Sequence, residues 1–78
     1  MRRKHLTLTI EQVLAWADAY HARTGRWPTA ASGPVEGAPG EVWGHINAAL
    51  YDGQRGLPGG DSLARLLNRH RARGPGRP

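Results

Sequence analysis

Residues 41–71, EVWGHINAALYDGQRGLPGGDSLARLLNRHR, switch between two kinds of sequence that require different backbones, and this switching limits the folds open to the chain. In the first part Val42, Trp43, Ile46, Ala49 and Leu50 fall at the i, i+3, i+4, i+7 spacing that lines one side of an α-helix. Gly53 stops that helix, and a Gly- and Pro-rich elbow follows. A second amphipathic segment then places Leu63, Leu66, Leu67 and the ring of His70 on one side, leaving Arg65, Asn68, Arg69 and Arg71 for the outside or its margins.

The rest of the chain reads as support for this unit. Thr9 followed by Gln12 has the spacing of a capping box, so a first helix is expected over residues 10–24. Its inward side runs through Ile10, Val13, Leu14, Ala17 and Tyr20 or His21, with Trp16 at the edge and Glu11, Gln12, Asp18 and Ala22 toward water. Gly25 supplies the left-handed terminal residue and Arg23 the cation that suits a helix C-terminus. Trp27 and Leu57, each followed by a Pro, read as apolar plugs that pin the two connections to the core. Residues 29–40 contain Gly33, Pro34, Gly37, Pro39 and Gly40 and read as an irregular loop. Pro39 and Glu41 suit the start of a second helix over about 41–51, and Asp61 or Ser62 caps a third over about 62–71. The expected fold is all-α: a small three-helix bundle over residues 9–71, with a basic N-terminal arm at 1–8 and a basic Gly/Pro tail at 72–78. It is helix-turn-helix-like and not a strict unit, because its connection exceeds the usual three or four residues.

Several function classes are excluded by what the sequence lacks. With no Cys, neither disulfides nor thiolate-held zinc can staple the fold, and His5, His21, His45 and His70 show no metal-ligand spacing. No carboxylate pair, phosphate loop with its Lys, or nucleophile elbow is present, so no catalytic residue and no cofactor are expected. No apolar run approaches the roughly 18 residues of a membrane span, and the polar side of the first helix carries Glu11 and Asp18, so no membrane partner is expected. The N-terminus lacks the apolar block of a signal peptide, and a cytoplasmic location is the expectation.

Charge points to a partner. Eleven Lys+Arg against six Asp+Glu give +5 at pH 7, a balance that favours polyanions. The cations gather at the ends, in Arg2, Arg3 and Lys4 and in Arg65, Arg69, Arg71, Arg73 and Arg77. Asp61 is the only carboxylate after Asp52, so the C-terminal arginines are expected to have almost no local partners, unlike those of a merely solvated face. Arg pairs bidentately with guanine and Asn with adenine in the major groove. The candidate groove contacts are therefore Arg65, Asn68 and Arg69, with Arg55, Arg71 and Arg73 on phosphates and Asn47 and His45 as second choices for bases. Gly44 and Ala48 either admit a foreign backbone or let two helices cross closely, and the Gly59-Gly60 amides either hold a phosphate or simply turn the chain. Pro75-Gly76-Arg77-Pro78 is half of an AT-hook. Double-stranded DNA is the expected partner; RNA, or an acidic protein docking on Tyr51 and the basic face, are the alternatives.

The order Trp16, Tyr20, Thr24-Gly25-Arg26-Trp27-Pro28, then Trp43, Asn47, Leu50, then Gln54-Arg55-Gly56-Leu57, then Ser62-Leu63-Ala64-Arg65-Leu66-Leu67 resembles the helicase-associated domain, a small three-helix unit of bacterial proteins. It is also similar to the repeats found beside homing endonucleases. The resemblance spans about residues 10–70 and implies a nucleic-acid-binding accessory module in which Trp16, Trp27 and Trp43 are structural. The chain departs from that pattern in its Gly/Pro-rich loop at 29–40 and in a third helix without a closing Trp.

Overall fold

The computed structural model of the chain describes residues 7–71. Three helices follow in order, α1 (Ile10–Thr24), α2 (Trp43–Asp52) and α3 (Leu63–Arg71), and the expected all-α bundle is observed. Among the described residues the sole β feature is an isolated antiparallel bridge between Pro34 and Val42.

α1 starts where its cap predicts. Thr9 is extended, and its hydroxyl accepts the Gln12 N–H at 3.0 Å, satisfying one of the orphan donors of the first turn. Gly25 ends the helix at φ 79°, donating its N–H to the His21 carbonyl. Val13, Leu14 and Ala17 are buried, while Ile10, Trp16 and Tyr20 lean on the same core.

α2 begins later than its periodicity suggests. Trp43 donates its N–H to the Gly33 carbonyl, and the Glu41 carbonyl accepts the Val35 N–H, each at 2.9 Å. These bonds flank Val42, which is extended at φ −133° and ψ 135°, so Pro39 and Glu41 precede the helix and do not open it. Glu41 consequently serves no helix end and pairs with Arg55 instead. The loop at 29–40 is irregular as expected, yet it delivers Val35 and Ala38 to the core beside Leu8 and Leu57 from the other connecting segments. Gly44 is tight against the chain's own loop and not against a second helix: a Cβ there would lie 3.1 Å from the Ala30 carbonyl. Ala48 is exposed, so it lies at no helix contact.

The elbow folds back on the end of α2. Gly60 and Asp61 donate their N–H groups to the Tyr51 and Leu50 carbonyls at 2.9 and 3.2 Å, which starts α3 against α2. This return brings two backbones together. A Cβ on Gly59, at φ 88°, would press on the Gly53 Cα at 3.0 Å, so a side chain there would crowd the facing backbone as well as strain its own positive φ. Trp43, Ile46, Ala49 and Leu50 of α2 and Leu63, Leu66 and Leu67 of α3 complete the core. Trp43 meets Tyr20 edge-on at 6.2 Å, and its buried indole N–H has no hydrogen-bond acceptor among the described residues.

Candidate nucleic-acid interface

The orientation of α3 is set by three polar contacts at its start. Asn47 of α2 presents its Oδ1 to the Leu63 N–H at 2.8 Å, the Ser62 Oγ accepts the Arg65 N–H at 3.1 Å, and the Asp61 Oδ1 accepts the Ser62 N–H at 2.8 Å. Side chains thus occupy amide donors that an anion would otherwise need. The Gly60 amide is likewise spent on Tyr51, so Gly59-Gly60 acts as a turn. With Leu63, Leu66 and Leu67 buried, Arg65, Asn68 and Arg69 emerge together at i, i+3 and i+4 on the outer face. His70 is exposed, not on the buried stripe as its spacing suggested: α3 is already filled by its three leucines and ends one residue later.

Charge gathers at the chain ends as the sequence indicates, and what differs is how the arginines of α3 are paired. Residues 7–71 hold six arginines (23, 26, 55, 65, 69 and 71) against six carboxylates (11, 18, 36, 41, 52 and 61), so this body is neutral and the +5 resides in residues 1–6 and 72–78. The expectation that the α3 arginines lack partners is overturned for two of them. Arg69 donates from Nη2 and Nη1 to Asp61 at 2.6 and 3.3 Å, and Arg71 donates from Nε and Nη2 to Asp18 of α1 at 2.8 and 2.9 Å. Hydrogen bonding from those guanidiniums holds the Asp61 and Asp18 carboxyls below the ordinary carboxylate range and raises both arginines above theirs. Arg65 has no ion pair among the described residues; its Nη1 reaches only the Gly60 carbonyl at 3.5 Å. Asn68 makes no side-chain hydrogen bond there.

Arg55, expected on phosphates, is engaged within the fold. It occupies the left-handed region at φ 57°, and both its Nη groups donate to Glu41 at 2.9 and 2.8 Å with the two side chains 10% and 17% exposed. The pair forms part of the wall of an open groove of about 290 Å³ with Thr7, Gln12 and Trp16, and Arg55 accepts the Leu8 N–H on its carbonyl. It ties the elbow to Glu41, just ahead of α2, and to the segment preceding α1. Asn47, a second choice for bases, is likewise engaged within the fold, its Oδ1 capping α3. His45 is exposed on α2, away from that cap, and Tyr51 stands 70% exposed one turn beyond Asn47. Arg73, the AT-hook-like tail and the basic positions of the arm lie outside the described residues.

Sequence reasoning missed Asp61 and Asp18 as partners. Asp61, Arg65 and Arg69 recur at i, i+4 and i+8, a signal for the first; nothing local marks Asp18, 53 residues from Arg71. Among the described residues no group of three or more His, Cys, Asp or Glu is placed to hold a metal ion, and no helix is long and apolar enough to cross a membrane.

The fold is that of a small all-α three-helix bundle presenting a short cationic helix. Comparisons with models of known families, with curated proteins and with solved structures give no match.

Proposed function

We propose that this chain is a double-stranded DNA-binding accessory or regulatory module that inserts α3 into the major groove. The observation that carries the reading is the outer face of α3: Arg65, Asn68 and Arg69 project together from a helix without a carboxylate of its own, fixed to α2 through Asn47. At nine residues α3 is about 13 Å long, a fair match to a groove about 12 Å wide. The resemblance to the helicase-associated domain points the same way. Because residues 7–71 are neutral, salt-sensitive affinity is assigned to the outer face of α3 together with the basic ends.

A second reading rests on Tyr51, the exposed large hydrophobic of the described residues, as the anchor of a helical adaptor for an acidic protein. Fluorescence anisotropy of a labelled random-sequence duplex at several salt concentrations, beside a single-stranded RNA of equal length, separates the readings. Duplex binding is expected, with log K falling by about 0.9 per phosphate engaged for each tenfold rise in salt. Arg65→Ala with Arg69→Ala should weaken it at least about tenfold. No duplex binding at low salt refutes the proposal, tighter RNA binding reassigns the partner, and unchanged affinity in the double variant removes α3 from the interface.

A further inference from the structure

The two arginines of the α3 outer face are held in different ways. The Asp61 carboxylate is itself well fixed: its side chain is only 17% exposed and its Oδ1 also accepts the Ser62 N–H. It grips Arg69 end-on, Oδ1 to Nη1 and Oδ2 to Nη2, while the Arg69 side chain remains 54% exposed. A guanidinium carries five N–H donors in a planar fork. End-on pairing consumes one on each Nη and leaves the edge formed by Nε–H and its neighbouring Nη–H, which has no partner among the described residues. That edge offers two parallel donors, the pattern that matches the O6 and N7 acceptors of guanine. Arg65, one turn earlier, makes a single long side-chain hydrogen bond, to the Gly60 carbonyl, and no ion pair among the described residues fixes its fork. The same comparison sets Arg71 apart. Asp18 takes its Nε edge and the His70 carbonyl takes an Nη1–H, so its side-on edge is already used.

We infer that Asp61 is a positioning residue that aims Arg69 at a guanine, and that Arg65 supplies charge without base preference. This inference rests on the DNA-binding reading above. Physically, Asp61 trades affinity for discrimination. Its negative charge cancels most of the long-range pull of Arg69 on phosphates, so the pair adds little to non-specific binding. In return the fork is held in one plane before the DNA arrives, and less side-chain freedom is lost on forming the two bonds to the base.

The test is selection of binding sites from randomised duplexes, with anisotropy on the selected and random sequences, for the full chain and for Asp61→Asn, Arg69→Lys and Arg65→Ala. Asn keeps an Oδ1 for the Ser62 N–H, and circular dichroism establishes that each variant is folded. The wild type should enrich guanine at one position, preferring it by roughly 5- to 150-fold over other bases. Asp61→Asn should flatten that position while binding random duplex more tightly and with a salt slope steeper by up to about 0.9. Arg69→Lys keeps the charge and loses the fork, so it should lose the guanine preference alone. Arg65→Ala should weaken all sequences alike. Wild-type binding without base enrichment, or an Asp61→Asn profile identical to wild type, overturns the inference and leaves the DNA-binding reading standing. Absence of any duplex binding overturns both.

Discussion

Replacing Glu41 by Gln preserves the shape of the side chain and removes the charge that both Nη groups of Arg55 meet. Removing one partner of a fully buried ion pair costs about 3–5 kcal/mol. The pair is 10% and 17% exposed, so water softens the loss, and we expect about 2–3 kcal/mol. For 78 residues the whole domain stability is of order 4–12 kcal/mol, so this one substitution removes a large share. Urea unfolding followed by tryptophan fluorescence should show a midpoint lower by about 2 M, taking a denaturant slope near 1 kcal/mol/M for a small domain. Arg55 itself provides an internal control. Its left-handed φ of 57° costs a residue with a Cβ about 1 kcal/mol, so Arg55→Gly should be more stable than Arg55→Ala by about that amount. A Glu41→Gln cost below about 0.5 kcal/mol, with equal Ala and Gly variants at 55, would refute the assignment of this pair as a tie across the fold. So would a fully folded Arg55→Ala protein whose duplex affinity and salt slope both fall, since that is the behaviour of a phosphate contact.

The cap supplied across the helices gives a second test: Asn47→Ala should lower stability by about 1 kcal/mol and the melting temperature by about 4–8 °C, whereas Asn47→Asp, which keeps the acceptor, should lose far less. Equal losses in the two would show that the Leu63 amide does not depend on this oxygen. Asp18 and Asp61 have carboxyls held low by Arg71 and Arg69, so their contribution is fully present above about pH 4 and is lost as pH falls through the depressed folded values. Urea midpoints taken from pH 7 to pH 2.5 should therefore fall on the acid side, and Asp18→Asn with Asp61→Asn should flatten part of that fall.

How much could be read in advance depended on range. The three helices were legible because each is punctuated locally: Thr9 and Gly25 bound α1, Gly53 ends α2, and Ser62 starts α3. The leucine stripe of α3 and the outward course of Arg65, Asn68 and Arg69 followed from the same 3.6-residue repeat. The start of α2 lies two residues later than its periodicity indicates because the preceding backbone is claimed by a bridge to Pro34, a contact between segments that no helical period announces.

The sequence by itself therefore determined the elements and their faces, since helix propensity, capping and periodicity act over a few residues. It also determined that the surplus charge lies at the chain ends. Tertiary structure decided which polar side chains remain for a partner. Asn47 was drawn to an amide 16 residues away, Arg55 to a carboxylate 14 residues away, and Arg71 to one 53 residues away. Hydrogen bonds and ion pairs are made by whatever folding brings within about 3 Å. The apolar pattern that sets helix packing carries no local record of which donor will meet which acceptor.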